Sequence, residues 1–298
     1  MPSANIVKYV IAVFIGSCSY GVLSTIVKLA YEEGFSPAVV TVGQFGIGWF
    51  LLWVLLPFTH LHRLRWKDRL LLMLAGVPTG LVGIFYYRSL LTVDASLAII
   101  LLFQFVWIGV VIDCAARKIM PERNTVTALI LLAVGTVLGT GIGMSEVSVS
   151  WNVSGIIFGL LAALSFALFI RANAKVLPSL PFLQRSYHMV TGSLVIVTFI
   201  FLPSLLDTHP ISFVDFGTKG VLLGIFGVFL PPLLFSYGMP RIGSALGSII
   251  GSAELPVAVL LSAFVLQETV LWVQWLGVVV ILFAILLPNL RTSYNKTP

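Results

Sequence analysis

The sequence predicts an all-α polytopic membrane protein with ten transmembrane helices in two inverted five-helix repeats. Three observations carry that reading: composition, the spacing of apolar runs and an internal repeat. Of the 298 residues, 59% are hydrophobic and 9% charged, and the mean hydropathy is +1.07; soluble domains average about 25% charged residues. Apolar runs of about 20 residues, enough to cross roughly 30 Å of hydrocarbon at 1.5 Å per helical residue, recur along the chain. Only short polar or Pro/Gly stretches separate them, so no segment is long enough for a soluble domain.

In chain order the expected spans are 6–30, 37–58, 69–91, 95–116, 124–143, 152–174, 182–203, 216–238, 243–266 and 270–290. The first could pass for a signal peptide, but no A-x-A cleavage site follows it and it has a counterpart in the second half, so it reads as a retained span. Ser36-Pro37 opens the second span. The longest connectors surround H-L-H-R-L-R-W-K-D, ending at Asp68, and Ser204 to Asp215. Lysines and arginines gather in alternate connectors, and with the N-terminus inside, Lys28, Arg88 and Lys219 are the exceptions among the 17. Both termini are therefore expected in the cytoplasm. The formal charge of +6 reports topology, and nucleic acid drops out as a partner. The lipid bilayer is the expected surrounding.

The repeat shows at two offsets. Moved by 150 residues, Tyr87 overlays Tyr237, Ala95 overlays Ala245 and Gln104 overlays Glu254; moved by 146, Ser19-Tyr20 overlays Ser165-Phe166 and Pro57 overlays Pro203. The halves are 1–146 and 147–298. An odd number of spans in each makes the copies enter the membrane from opposite sides, the architecture of many secondary transporters, whose site lies between the repeats near the midplane. No phosphate-binding loop, H-E-x-x-H or C-x-x-C occurs, so no cofactor, metal ion or ATP-driven module is expected. Cys18 and Cys114 fall inside predicted spans and read as small packing residues. An intramembrane enzyme would need a G-x-G-D or a comparable motif, and none is present.

The stretch Glu254-L-Pro256-V-A-V-L-L-S-A-F-V-L-Q-Glu268-T-V-L-W-V-Gln274-W-L-Gly277 resembles the hallmark of the EamA-type transporters of the drug/metabolite transporter superfamily. Three further pieces agree in order: Ser36-Pro37, Tyr86-Tyr87-R-S-L-L-T-V-D-A-S-L-A, and Gly155-I-I-F-G-L-L-A-A-L-S-F-A-L-F. The resemblance spans essentially the whole chain. It implies two EamA units, a central cavity lined by the first four helices of each, peripheral fifth helices, and alternating-access movement of a small organic solute. That solute would be an amino acid, amine, metabolite or drug, with export favoured and protons as an exchange partner; import of a metabolite and flipping of a lipid-linked substrate are the alternatives. A cell membrane is the implied location. Departures from the pattern are E-L-P in place of E-P, Gln267-Glu268 in place of G-E, and Gln44 near a common arginine.

Glu254 is the foremost candidate site residue. An ionised acid at the bilayer centre costs at least about 2.5 kcal/mol, so it must be protonated, paired or open to a water-filled cavity. A carboxyl able to take both states could exchange a proton for a cationic solute; a neutral carboxyl bonded to helix backbone is the structural alternative. Pro256 removes its own N–H from the helix and marks a kink or a polar wall. Gln104, the repeat mate of Glu254, is expected either at the solute or in an interhelical hydrogen bond. His188 could titrate or bond to backbone. Tyr20, Trp49, Tyr87, Trp107 and Tyr237 offer faces for a cationic or aromatic solute, or serve as packing and interfacial anchors. Lys28 and Arg171 are expected to snorkel at span ends, Arg88 and Asp94 to flank one outer turn, and Asp113 to pair with Arg117 four residues on. The Gly243/Gly247/Gly251 ridge reads as close helix packing.

Overall fold

The structure, a computed structural model, describes residues 3–90, 92–93, 95–140, 152–206, 213–267 and 270–292. Among these, eight helical runs are long and apolar enough to cross a membrane, and Arg123–Gly139 and Trp272–Leu287 are shorter apolar helices. The elements are α1 (Ser3–Glu32), α2 (Pro37–Leu55) with a 3₁₀ turn at Leu56–Phe58, α3 (Trp66–Leu90), α4 (Ala95–Phe103), α5 (Phe105–Arg117), α6 (Arg123–Thr140) and α7 (Val153–Lys175). They continue with α8 (Phe182–Leu206), α9 (Phe213–Leu223), a π-helical turn at Gly224–Phe229, α10 (Leu230–Ile242), α11 (Ser244–Gly251), α12 (Glu254–Phe264) and α13 (Trp272–Thr292). Asp94, Glu268 and the junction between the proposed halves lie outside the described residues.

Local chemistry sets the ends. The Ser36 hydroxyl accepts from the Val39 N–H at 3.4 Å, and Pro37 occupies the first helical position, where its missing N–H costs nothing. Asn152 caps α7 by accepting from the Ser154 N–H at 2.9 Å. Gly243, at φ +84°, separates α10 from α11 in a conformation a side chain would strain. It therefore stands at a bend and not on the helix ridge expected of it; Gly247 and Gly251 do pack closely, against Met239, Phe105 and Ile170.

Two expected spans are interrupted. The fourth breaks at Gln104, between α4 and α5, and the ninth at Ser252–Ala253, between α11 and α12. Pro256 stands in the first turn of α12, and the Ser252 carbonyl, which it cannot serve, accepts from the Leu255 N–H at 3.2 Å instead. The eighth span stays continuous by widening: the Leu230 N–H reaches back to the Ile225 carbonyl, five residues away. In that register the Phe226 carbonyl would take its donor from Pro231, which has none. The Ser19 hydroxyl of α1 donates there at 2.8 Å.

The helices pack in a mirrored pattern. α3 lies against α7 and α8, while the run through α9, the π turn and α10 lies against α1 and α2; α6 pairs with α13. At the α3–α8 crossing, a Cβ on Gly76 would fall on the Met189 backbone and one on Gly192 on the Met73 backbone. Alanine at either position must force the backbones apart. Gly76→Ala and Gly192→Ala are each expected to cost about 1–3 kcal/mol and lower the unfolding temperature in detergent, whereas Gly46→Ala, with nothing within 4 Å of the added methyl, leaves it unchanged. Equal stability of all three variants would contradict this packing.

A buried polar knot closes the end of the bundle where the chain begins. Arg185 at the start of α8, fully buried, donates to the carbonyls of Val176 at 3.1 Å, Ser236 at 2.8 Å and Asn173 at 2.6 Å. Two of these finish α7, and the third lost its helical donor to Pro240. The Ser236 hydroxyl donates to Asn173 Oδ1 at 2.9 Å, so α7, α8 and α10 are tied by one guanidinium and one amide.

Candidate functional site

The helices enclose a cavity of about 640 Å³. Its walls come from regularly spaced positions: Tyr20, Leu23, Val27 and Tyr31 follow one face of α1, and Thr79, Gly83 and Tyr86 one face of α3. Gln44 and Phe45 of α2, Phe103 of α4, Phe166 of α7 and Glu254 of α12 complete it. Toward the ends of α1 and α3 and the start of α13 the cavity is lined by Lys28, which is exposed, and by Tyr31, Tyr87 and Gln274, and we take this as its mouth. The α8 helix supplies none of the lining, and the outer ends of α6 and α13 supply Gly139 and Gln274. The wall thus differs from the first-four-helices expectation because Gly135, Gly139 and Gly277 let α6 and α13 close up and reach the mouth together.

An aromatic floor separates the cavity from the opposite end. Tyr20 meets Phe166 at 5.7 Å and Phe235 at 6.0 Å between ring centroids, and Phe166 meets Phe105 at 4.5 Å. Phe169, beneath, lies 5.9 Å from Phe235. Phe105, Phe169 and Phe235 are fully buried. Beyond this floor stand the Arg185 knot and a second polar cluster. There Asp113 of α5, buried, receives Arg117 at 2.9 Å, Arg171 of α7 at 3.5 Å and the Ser244 hydroxyl of α11 at 2.6 Å. Arg171 therefore points to a carboxylate, not to the headgroups as expected, because Asp113 presents an acid that Arg117 alone does not enclose.

Glu254 lies at the deep end of the cavity. Its backbone abuts Gly21, where any Cβ would collide with the Glu254 carbonyl at 2.5 Å, so the glycine lets α1 press against the break in the ninth span. Tyr20 and Tyr86 are within electrostatic range of its carboxylate. No cationic side chain and no hydrogen-bond donor partners that carboxylate among the described residues. Tyr20 Oη, Thr79 Oγ1 and Gln44 Oε1 line the same space, buried and without hydrogen-bond partners. Buried polar atoms in native proteins nearly always find a partner.

The other sequence candidates are dispersed. Tyr87 joins Glu254 and Tyr20 in the cavity, its ring 6.1 Å from that of Tyr31. Gln104 faces a separate small cavity between α4–α5 and α6, and its amide is spent locally: Nε2 donates to the Ile100 carbonyl at 2.8 Å and Oε1 accepts from Trp107 Nε1 at 2.7 Å. The break explains this, since the Gln104 N–H turns to Leu101 and leaves the Ile100 carbonyl open. Trp107 is 46% exposed beside it. Trp49 donates to the Thr191 hydroxyl at 2.9 Å and lies 5.7 Å from the Tyr187 ring in the α2–α8 contact, while His188, its ring 5.3 Å from that of Tyr187, is not among the cavity's lining residues. Tyr237 packs on Tyr9 and Phe182 at the closed end. The residues that sequence reasoning left out are Tyr31, Gln44, Thr79, Tyr86 and Lys28. For Tyr31, Thr79 and Tyr86 the helical spacing on α1 and α3 was the available signal.

These features define a polytopic membrane protein built around a solute-sized internal cavity. A family model described as the EamA-like transporter family matches residues 153–290, within the second half of the chain. No curated protein matches the sequence. Among similar solved structures is one titled "Crystal structure of protein", at 15% identity and a TM-score of 0.78, the match covering 95% of this chain and 98% of that one. That likeness concerns the fold.

Proposed function

We propose that the chain is a secondary transporter that exports a small organic solute across a cell membrane by alternating access. Its two inverted five-helix units would be residues 1–146 and 147–298, with both termini cytoplasmic. The observation that carries this reading is the cavity itself: open at one end, floored by Tyr20 and Phe166, and holding the unpartnered carboxyl of Glu254. The mirrored packing and the paired breaks near Gln104 and Glu254 support a two-fold relation between the units.

With the termini inside, the mouth faces outward and the closed end faces the cytoplasm. Inward opening requires the Phe166–Phe105–Phe235 floor to part, together with the contacts from Asp113 to Arg171 and Ser244, which join α5 to α7 and α11. Glu254 would carry either a proton or the solute's positive charge. Protonation from outside releases solute there, and solute arriving from inside displaces the proton, which couples export to proton entry. The test is counterflow in proteoliposomes with a panel of amino acids, amines and nucleosides. At least one labelled solute should accumulate transiently against its unlabelled form. Channel-like leak for every permeating solute, with no counterflow, would refute the transporter cycle.

A further inference from the structure

We propose that the cavity selects a protonated primary or secondary amine carried on a flat apolar body, held by its N–H-bearing head at Glu254. This rests on the transporter reading and narrows it to one chemical class. Four features of the cavity argue for it.

First, Glu254 is the only carboxylate among the described lining residues, and no described residue donates to it or pairs with it. A carboxylate in a largely apolar cavity within the membrane is costly to ionise without a partner, and a cationic head supplies one. Second, the walls beside it are aromatic: Tyr20, Tyr86, Phe103 and Phe166 present ring faces and edges, which suit a cation and a flat body together. Third, Gln44 Oε1 can only accept a hydrogen bond, and it is buried with none. Tyr20 Oη and Thr79 Oγ1 also stand unmatched. A ligand bearing N–H groups supplies donors; a quaternary ammonium does not.

The fourth feature is the distribution of charge. Lys28 stands at the mouth with its side chain exposed. It lies seven residues beyond Gly21, the residue pressed on Glu254, so their backbones are about 10 Å apart along α1. An α-amino acid with its ammonium at Glu254 would bring its own carboxylate within about 5 Å of that acid, where like charges repel strongly, and far from Lys28. A neutral alcohol would leave Glu254 as it found it. At the exposed mouth, solvent and salt screen the lysine from an entering cation.

The experiment is equilibrium binding to the purified protein in nanodiscs at neutral pH, with four probes that share one body: phenethylamine, its N,N,N-trimethyl derivative, phenylalanine and 2-phenylethanol. Phenethylamine should bind at least tenfold more tightly than each of the others. Glu254→Gln should erase its advantage over the alcohol, and Glu254→Asp should retain most of it, with thermal unfolding confirming that both variants are folded. Equal binding of the trimethyl derivative would overturn the hydrogen-bonding part, tighter binding of phenylalanine would overturn the amine class, and absence of phenethylamine binding would overturn the whole proposal. Counterflow of phenylalanine alone would leave the transporter standing and the amine class refuted. Tight amine binding without counterflow of any solute would do the reverse.

Discussion

Glu254→Gln abolishes pH-gradient-driven uptake into inside-out vesicles, by at least tenfold, while expression and thermal stability stay close to wild type. The substitution keeps shape and removes charge. The carboxyl makes no hydrogen bond or ion pair to a described residue, so the fold loses nothing that its packing depends on. What goes is the one group in the cavity that can hold a proton or a cation in turn. If the acid served packing instead, as a neutral carboxyl bonded to helix backbone, the amide would replace it without loss of transport. Unchanged uptake at equal expression would therefore sink the coupling role.

Arg185→Met is expected to be among the most destabilising single changes in the chain. Methionine fills much of the volume but leaves the carbonyls of Asn173, Val176 and Ser236 without the donors they now have. Each unsatisfied buried group costs about 1–3 kcal/mol, so the total is on the order of 5 kcal/mol. At about 2–4 °C per kcal/mol, the unfolding temperature should fall by roughly 10–20 °C. Removing a buried charge acts in the opposite sense and can be neutral when the charge is poorly compensated. Here two of the acceptors end α7, whose dipole favours a cation, and the third has no other donor because of Pro240. Arg185→Lys should recover only part of the loss, since one ammonium cannot span three carbonyls on two helices. Stability of Arg185→Met equal to wild type would show that the guanidinium is dispensable.

The apolar runs placed nearly every helix, because a span must be long and apolar to exist in a bilayer at all. Span edges agreed within a few residues, helped by caps such as Ser36-Pro37. The interruptions at Gln104 and at Ser252–Ala253 were not legible as breaks. Each is a local choice between hydrogen-bonding registers that apolar periodicity does not report. The 150-residue offset aligns Gln104 with Glu254, the residues that stand at and beside the two interruptions. It could not foresee that Gln104 would turn back to mend its own helix at Ile100 and bond Trp107. The aligned pair therefore differs as one acid without a described partner and one amide engaged in its own helix. Trp49 and His188 were drawn as cavity residues by type alone. Trp49 is engaged with Tyr187 and Thr191 across the α2–α8 contact, and neither it nor His188 lines the cavity. Tyr31, Thr79 and Tyr86 carried a helical spacing that composition alone concealed. Arg185 offered no sequence signal, because its acceptors are backbone carbonyls freed by helix ends and a proline elsewhere.

Alternating access requires the cavity around Glu254 to change sides, and thiol accessibility from each face of the membrane measures this directly. With Cys18 and Cys114 replaced, a single cysteine at Thr79 in oriented proteoliposomes should react with a membrane-impermeant reagent from the outer face when no solute is present. A transported solute on the inner face should slow that labelling and open the same thiol to reagent from within. Labelling from one face only, at an unchanged rate with and without a solute that binds, would contradict alternating access.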